Sequence, residues 1–457
     1  MTDIKTIVKD QREFFLTGQS RNENFRLRNL RALKEGLDIY KDEIIKALNK
    51  DLNKSSFESH MSELMLVYEE IRFAEKNLLE WMKPQRAITP MAALPGKSYT
   101  VYEPLGVNLI ISPWNYPVML SLDPLVGAIA AGNTSILKLS SKSENTTKVL
   151  RKMINNTFPE NYIYAIDNEE TSKEELLEEK FDHIFFTGSA RVGKTIMEKA
   201  SRNLSKLTLE LGGKSPCIVD ESANIELAAK RIMWGKLLNA GQTCIAPDYI
   251  IAHKAIKDKL MLELKSFAIE FFGANPIENP DYPKIINKNA LERLQGLLVG
   301  ENIYFGGRVD KDLQKIEPTI VDKLSFDNKL MKEEIFGPIL PVLEYEDIFA
   351  LINKLKTLEK PLALYMFSED RAHIDRIMYD LSYGNGCVND TIMQIASTYL
   401  EFGGVGNSGM GGYHGKYGFI NFSNRKSIMD RPTHIDINLR YPPYSKGQTA
   451  LVKLLEK

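Results

Sequence analysis

The sequence predicts an α/β protein in which helices cover the faces of parallel β-sheet. From about residue 100, short apolar runs alternate with helical segments, which is typical of parallel strands joined by crossover helices. A second stretch of the same kind begins near Gly212. The chain has 457 residues, more than one hydrophobic core usually serves, so we expect two or three domains.

The segment before residue 100 predicts helices. Residues 25–52 carry apolar side chains at mostly helical spacing, and a second helical pattern runs from about 62 to 82. Pro84 and Pro90 then interrupt this pattern, because proline lacks the backbone N–H that a helix uses.

The first α/β stretch follows these helices. Its predicted strands are residues 107–111, 135–139, 162–166 and 183–186, and its predicted helices lie near 122–131, 143–157 and 174–179. Sheets of this kind bind ligands at the carboxyl ends of their strands. Polar residues just after these runs are therefore candidate site residues.

The second α/β stretch repeats the alternation. Its predicted strands are residues 217–219, 249–252, 362–367 and 387–389, and its predicted helices are 225–239 and 371–381. A glycine-rich segment follows at 402–412. The last 25 residues predict an extended tail.

Composition and charge argue against several classes of protein. The formal net charge of −1 gives no reason to expect nucleic acid or an anionic membrane as partner. Cys217, Cys244 and Cys387 are widely spaced without a CxxC pair, which indicates neither a metal site nor disulfides and favours a cytoplasmic setting. We find no apolar signal core at the N-terminus and no apolar run of roughly 18–20 residues, so we expect no membrane span.

Three polar residues next to apolar segments could carry chemistry. Cys244 follows Gly-Gln-Thr in a loop-like sequence and could be a nucleophile, although a lone cysteine is more often a small buried hydrophobe. Glu210 ends an apolar run, where burial would suit it to general-base catalysis; a solvent-facing position is an equal alternative. Asn115 could donate a hydrogen bond to an oxyanion, while a turn between two prolines is the simpler local interpretation.

Residues 188–195 match the GxxxxGK[ST] spacing of a phosphate-binding P-loop, between a predicted strand and a predicted helix. A P-loop nucleotide hydrolase is therefore one hypothesis. The other is a helix N-terminus whose backbone N–H groups bind a dinucleotide pyrophosphate, without the usual GxGxxG pattern. The local sequence does not separate the two. Lys138, at the end of a predicted strand, could meet a cofactor ribose or phosphate.

Taken together and in order, these motifs resemble the aldehyde dehydrogenase superfamily. They are Pro-Trp-Asn-Tyr-Pro at 113–117, Lys138, Phe-Thr-Gly-Ser at 186–189, Leu-Glu-Leu-Gly-Gly-Lys at 209–214, Gly-Gln-Thr-Cys at 241–244 and Glu-Glu-Ile-Phe-Gly-Pro at 333–338. The end of the glycine-rich segment and Arg-Tyr-Pro-Pro-Tyr at 440–444 resemble the class 3 branch in particular. Any one of these motifs is weak, but six in family order are a strong signal.

The resemblance implies that an aldehyde is oxidised to a carboxylic acid with NAD or NADP. It implies that Cys244 attacks the aldehyde, that Asn115 and the backbone N–H of Cys244 hold the oxyanion, and that Glu210 activates the water that hydrolyses the thioester. A Rossmann-like domain would hold the cofactor. Its contacts would be Lys138, Gly188, Ser189, Gly193, Glu334 and Phe336.

Three positions depart from the family pattern. Ser141 stands where a glutamate usually accepts the ribose hydroxyls and repels a 2′-phosphate, so we expect NADP to be tolerated or preferred. Glu401 replaces the family's proline, and Gln394 stands where class 3 members often have histidine. The last two lie in a segment expected to border the substrate entrance, which leaves the substrate range open.

The resemblance also implies the architecture. We expect an NAD(P)-binding domain at 1–83 and 104–211, a catalytic domain at 212–390, and a small β oligomerisation arm with the tail at 84–103 and 391–457. Class 3 resemblance suggests a homodimer. An apolar entrance formed by Tyr116, Met119 and Trp234 would suit medium-chain aliphatic or aromatic aldehydes.

Three alternatives to this interpretation stay open. A CoA-acylating relative would pass the thioester to a thiol, and the presence of Glu210 argues against it because such relatives usually lack that base. The activity of a P-loop hydrolase would not depend on Cys244. A non-catalytic cofactor-binding protein would not need Cys244, Glu210 and Asn115 together.

Overall fold

The computed structural model describes residues 3–167, 171, 173–436 and 438–455. The α-helices are α1 Ile4–Leu16, α2 Glu23–Leu52, α3 Ser56–Ser59, α4 Met65–Trp81, α5 Met119–Ala131, α6 Glu144–Thr157, α7 Lys173–Leu176, α8 Ala190–Ser201, α9 Ile225–Leu237, α10 Lys257–Phe272, α11 Lys288–Leu298, α12 Ile348–Leu355, α13 Arg371–Asp380, α14 Gly415–Asn421 and α15 Lys446–Leu455. A π-helical turn, His60–Leu64, joins α3 to α4.

The strands form three main sheets. They are β1 Gln85–Ala87, β2 Lys97–Pro104, β3 Val107–Ile111, β4 Thr134–Lys138, β5 Ile163–Ile166, β6 His183–Thr187, β7 Lys206–Glu210, β8 Pro216–Val219, β9 Tyr249–His253, β10 Asn302–Phe305, β11 Val309–Asp310, β12 Lys315–Ile316, β13 Thr319–Asp322, β14 Ile339–Tyr345, β15 Ala363–Phe367, β16 Asn385–Val388, β17 Gly409–Met410 and β18 Ser423–Asp430. Among the described strands, β11 and β12 pair only with each other.

The first sheet has the order β17-β7-β6-β3-β4-β5. All its strands are parallel except β17, which pairs with β7 antiparallel. Successive residues of β3 point to opposite faces, so Leu109 packs with α1 and α8 while Ile110 packs with the helices on the other face. Because both faces are covered, the strands are almost continuously apolar.

The second sheet has the order β10-β13-β14-β9-β8-β15-β16, parallel except for β10. Helices α12 and α13 cover one face through residues such as Leu351 and Ile374. Helices α9 and α10 pack on the opposite face. The α/β class predicted from the alternation of apolar runs is therefore confirmed.

The third sheet is small and antiparallel, with the order β1-β2-β18. Strand β18 pairs along its whole length with β2, from Ser423 opposite Pro104 to Asp430 opposite Lys97. Its other edge has no partner strand in the described part of the chain.

The structure differs from the sequence prediction in three places. The tail is not extended throughout, because Lys446–Leu455 forms a helix. The helix predicted to reach residue 239 ends at Leu237, since Asn239 and Ala240 both have φ of 51°, which no α-helix allows. The helix predicted near 174–179 is a single turn, Lys173–Leu176.

None of the helices in the described ranges combines the length and apolarity needed to cross a lipid bilayer. The same ranges contain no group of three or more histidine, cysteine, aspartate or glutamate side chains placed to hold a metal ion.

Candidate active site

The three predicted catalytic residues come from segments that meet where the first sheet faces the second. Asn115 follows β3, and Glu210 is the last residue of β7, so both lie at the carboxyl edge of the first sheet. Cys244 lies four residues before Asp248, which precedes β9 of the second sheet. The site is therefore assembled between two sheets by residues far apart in sequence.

The backbone before Cys244 is unusual. Asn239 and Ala240 adopt left-handed φ values, which are strained for residues with a Cβ. Gly241 has φ of 74° and lies against the carbonyl of Gly337, so a side chain would not fit there. This tight turn places the half-buried Cys244 against the space between the sheets.

The Cys244 thiol is shielded from solvent and lies near two acidic side chains. Burial raises the pKa of Cys244, and the nearby charges of Glu334 and Glu210 raise it further. The backbone N–H groups of Cys244 and Ile245 act in the opposite direction because they donate hydrogen bonds towards the sulfur. Without a ligand, the protein therefore holds a protonated thiol over much of the neutral range.

Asn115 is buried beside the segment that leads to Cys244. Its Nδ2 donates a hydrogen bond to the carbonyl of Gln242 at 3.0 Å, and its own carbonyl accepts one from Asn239 Nδ2 at 2.9 Å. A side-chain amide has two N–H bonds, so one remains for another acceptor. The simpler interpretation of Asn115 as a turn residue does not account for its hydrogen bond to Gln242.

Glu210 is 2% exposed, and neither of its carboxylate oxygens has a hydrogen-bond partner among the described residues. Burial raises the pKa of Glu210 well above its ordinary value, and the charge of Glu401 adds to this rise. The solvent-facing alternative for Glu210 is therefore wrong. A buried carboxyl without a protein partner is placed to exchange a proton with a bound water or ligand.

A cavity of about 140 Å³ adjoins these groups. Cys244, Glu210, Thr187 and Thr243 line it, and apolar side chains form most of the remaining wall. The predicted entrance residues are all among the lining: Tyr116, Met119 and Trp234. The cavity suits an apolar molecule with one polar group.

The first turn of α8 lies at the end of β6, where a dinucleotide was predicted. Gly188 N–H donates to the carbonyl of Glu210 at 2.9 Å, and a Cβ on Gly188 would lie 2.5 Å from the Phe186 ring. Ser189 is the N-cap residue of the helix, but its side chain makes no capping hydrogen bond. Gly193 packs against Leu211, leaving little room for a side chain.

The same helix excludes the P-loop hypothesis. Helix α8 starts at Ala190, so the residues that would have to form a phosphate-wrapping loop are already helical. Lys194 and Thr195, which would bind phosphate and magnesium, are exposed on that helix. The GxxxxGK[ST] match is therefore a coincidence of spacing.

The other predicted cofactor residues lie in two places, at the end of β4 and in the loop before β14. Lys138, 3% exposed, ends β4, and the exposed Ser141 follows it in the next turn. Glu334 lies against Gly212, where a Cβ would collide with its carboxylate, and burial raises the pKa of Glu334 to about 8. The Phe336 ring packs edge-on against Trp114 at 5.4 Å between ring centroids.

Some groups near the site were not predicted from the sequence. Lys236 on α9 is buried, its Nζ has no hydrogen-bond partner among the described residues, and burial lowers its pKa to about 8. Asp248 accepts the backbone N–H of Ile335 at 2.9 Å and pairs with Lys214. A lysine and an aspartate within ordinary helix and loop patterns carry no sequence signal of burial.

Comparison with known proteins identifies the family. The family model described as "Aldehyde dehydrogenase family" matches residues 1–428. The chain is 44% identical to the 4,4'-diaponeurosporen-aldehyde dehydrogenase of Staphylococcus aureus over 100% of both chains. It is 42% identical to the mouse aldehyde dehydrogenase family 3 member A2, over 97% of this chain and 92% of the relative.

Solved structures agree with this family. The structure described as the substrate-bound state of Staphylococcus aureus AldH has a TM-score of 0.96 and 44% identity, with 100% of both chains covered. An NADP-dependent enzyme from E. coli shares the fold at a TM-score of 0.84 and 22% identity, over 93% of this chain and 89% of that one.

Proposed function

This chain belongs to the aldehyde dehydrogenase family, and we propose that it oxidises an apolar aldehyde to the carboxylic acid through a thioester on Cys244. Enzymes of this family use NAD or NADP. The observation that carries the proposal is the convergence of Cys244 and Glu210 on one largely apolar cavity, with Asn115 hydrogen-bonded to the segment before Cys244.

The residues around the first sheet fit a dinucleotide cofactor. Gly188 and Ser189 lead into the N-terminal turn of α8, where backbone N–H groups would favour a pyrophosphate. Glu334 would accept hydrogen bonds from the nicotinamide ribose, and Lys138 would contact the adenine ribose. When bound, the nicotinamide supplies an acceptor for the hydride that leaves the aldehyde carbon.

Cys244 would begin the reaction. Its Sγ attacks the carbonyl carbon, the thiol proton leaves to a base or water, and a thiohemiacetal forms. The oxyanion would accept hydrogen bonds from the free N–H of the Asn115 amide and from the backbone N–H of Cys244. Loss of hydride then leaves the thioester.

Glu210 would complete the reaction. Its carboxylate, with a raised pKa, takes a proton from a water that attacks the thioester carbon. The C–S bond breaks, Cys244 regains a proton, and the carboxylic acid leaves. Neither oxygen of Glu210 has a hydrogen-bond partner within the described ranges, which supports this role because both oxygens can meet a water.

The cavity supports a medium-chain aliphatic or aromatic aldehyde as substrate. Apart from the reacting groups, its polar lining residues are Ser62, Thr187, Thr243 and two tyrosines, and apolar side chains form most of the rest. A charged semialdehyde would lose its hydration there without gaining an ion pair. One relative is named for 4,4'-diaponeurosporen-aldehyde, which is a useful long apolar comparator.

We also propose that the protein is a cytoplasmic homodimer. Residues 84–103 and the segment after 391 would form the oligomerisation arm, beside an NAD(P)-binding domain at 1–83 and 104–211 and a catalytic domain at 212–390. Strand β18 supports the arm, since one edge has no partner strand in the described part of the chain and an exposed edge favours pairing with another copy. The three free cysteines fit a reducing compartment.

Product analysis tests the reaction class. The enzyme is incubated with hexanal and NAD or NADP, with and without CoA, and the products are identified by mass spectrometry. Hexanoic acid as the only product in both conditions is the expected result. Hexanoyl-CoA formed in its place would overturn hydrolysis and support the CoA-acylating alternative.

A further inference from the structure

A short segment between α2 and α4 carries three buried charges. Lys54 and Glu63 are 0% exposed and Glu58 is 8% exposed. Burying charges is costly unless each one is paired and hydrogen-bonded, so their contacts show what the fold gains from them. Glu63 lies in the π-helical turn His60–Leu64, a distortion that is frequent at functional sites.

Lys54 and Glu63 hold the segment that contains Asn115. Lys54 Nζ donates to Glu63 Oε1 at 2.7 Å and to the carbonyl of Asn115 at 3.0 Å. Glu63 Oε2 accepts the backbone N–H groups of Val118 at 2.9 Å and Met119 at 3.1 Å. These charge-assisted bonds fix both ends of the 115–119 turn.

Glu58 holds the segment that leads to Cys244. Its Oε1 accepts the backbone N–H of Asn239 at 2.8 Å, at the start of the left-handed turn. Asn239 Nδ2 in turn donates to the carbonyls of Asn115 at 2.9 Å and Gln242 at 3.2 Å. The strained turn is thus held from one side by Glu58 and tied to the Asn115 segment on the other.

The two sets of bonds meet at one atom. The carbonyl oxygen of Asn115 accepts hydrogen bonds from both Lys54 Nζ and Asn239 Nδ2. Glu58 accepts a backbone N–H of the segment that leads to Cys244. Apart from their mutual ion pair, Lys54 and Glu63 bond to backbone atoms of the Asn115 segment.

We propose that Lys54, Glu58 and Glu63 are positioning residues that set the distance between the Asn115 amide and Cys244. They act through backbone atoms and do not themselves touch the substrate. This inference rests on the proposed function, in which Asn115 and Cys244 act on the same carbonyl group. A displacement of about 1 Å between such groups is enough to lower the turnover rate by about a hundredfold.

Glu58 offers a matched pair of variants. Glu58→Gln keeps an oxygen that can accept the Asn239 N–H, while Glu58→Ala removes it. Asp182→Ala is the control, because Asp182 makes the same kinds of bond at a distant place. It accepts the backbone N–H of Val107 at 2.8 Å and pairs with Arg12 at 2.8 Å, at the amino end of the first sheet.

The wild type is assayed first with hexanal, so that absence of aldehyde oxidation by the wild type is recognised as failure of the proposed function. We then expect Glu58→Ala to lower kcat and the pre-steady-state rate by about tenfold or more, with KM changed by less than about threefold. Glu58→Gln should stay within about threefold of wild-type kcat. Asp182→Ala should lower the thermal midpoint without a comparable loss of kcat.

Three results would overturn the proposal. They are an equal kcat loss in Glu58→Ala and Glu58→Gln, a loss in Glu58→Ala no larger than in Asp182→Ala, or a loss confined to KM. Should Glu58→Ala not fold, the double variant Lys54→Met with Glu63→Gln decides the question. It replaces both members of the Lys54–Glu63 ion pair, removes the bond to Asn115, and is expected to give the same kcat-specific loss; wild-type kcat in this variant would refute the proposal.

Discussion

The side-chain amide of Asn115 donates a hydrogen bond to the carbonyl of Gln242 at 3.0 Å, two residues before Cys244. This bond links the carboxyl edge of one sheet to the amino edge of the other. It uses one of the two amide N–H bonds and holds Asn115 against the segment before Cys244; the second N–H is the donor that the proposed oxyanion role needs.

Replacing Asn115 by alanine should therefore impair catalysis more than folding. We expect kcat to fall by about 10²–10³-fold with a small change in KM, because the donor acts mainly in the transition state. The control is Asn133→Ala, which removes a buried amide that ties Gly106 to Phe422 through bonds of 2.9 and 2.8 Å away from Cys244. A similar loss of kcat in both variants, in parallel with thermal stability, would contradict the oxyanion role.

Replacing Glu210 by glutamine should separate the two half-reactions. Thioester formation needs Cys244, whereas hydrolysis needs the base, so we expect a burst of reduced cofactor followed by a steady-state rate lowered by about 10²-fold or more. Mass spectrometry of the denatured enzyme should find the acyl group on Cys244. Loss of the burst together with the steady state, without an acyl adduct, would show that Glu210 acts before the thioester forms.

The contribution of Glu70 to folding stability should fall as the pH rises from weakly acidic to neutral. Burial raises the pKa of Glu70 from the ordinary 4.5 to about 7, and only the Gly415 N–H bond at 2.6 Å opposes this. Below pH 4.5 the carboxyl is protonated in both states; between 4.5 and about 7 the unfolded chain gives up its proton first, so the native state loses stability. Glu58, with a pKa raised to about 7 by burial, acts in the same direction.

Thermal unfolding of Glu70→Gln across this pH range tests whether ionisation of Glu70 lowers stability as the pH rises. Glutamine keeps the acceptor for Gly415 but does not ionise, so the decline of the thermal midpoint with pH should be shallower than in the wild type. Glu69→Gln, at the exposed neighbouring position, should leave the slope unchanged. His183 and His414, whose pKa values are lowered by burial, act in the opposite direction in the wild type and the variant alike. A slope that Glu70→Gln does not alter would contradict the assignment.

Cofactor preference tests the role of Ser141. The residue is exposed in the turn after β4, three positions beyond the buried Lys138. We expect the wild type to accept NADP, and Ser141→Glu to lower kcat/KM for NADP by about tenfold or more through repulsion of the 2′-phosphate. The value for NAD serves as the internal reference. A strong wild-type preference for NAD would refute the expectation.

The sequence predicts best what short-range patterns determine. Apolar runs located β3, β4, β5 and β6 of the first sheet and β8, β9, β15 and β16 of the second within a few residues, since a strand buried on both faces must be apolar along its length. Strands β10, β13, β14 and β17 were not predicted. Residues next to those runs, such as Asn115, Glu210 and Cys244, could be named before their geometry was known. The tail helix Lys446–Leu455 was missed because a short amphipathic helix after two prolines resembles a polar linker.

The buried charges were not predictable in the same way. Glu63 lies at the start of the second predicted helical pattern, and Lys54 and Glu58 lie in the polar stretch before it, where charged residues ordinarily face solvent. Their bonding partners are 55 to 181 residues away along the chain where the contacts reach Asn115, Val118, Met119 and Asn239. No local periodicity encodes such contacts, and the same is true of Lys236 on α9.

The most direct test of the central claim follows the absorbance of the reduced nicotinamide with purified protein, hexanal or benzaldehyde, and NAD or NADP in turn. The wild type is compared with Cys244→Ala and with Cys387→Ser. Cys387 is a second half-buried cysteine whose Sγ donates to Gln394 Oε1 at 2.8 Å, a bond that serine can replace. We predict cofactor reduction by the wild type and Cys387→Ser and none by Cys244→Ala. Sustained reduction by Cys244→Ala, or none by the wild type with either aldehyde and either cofactor, would contradict the account.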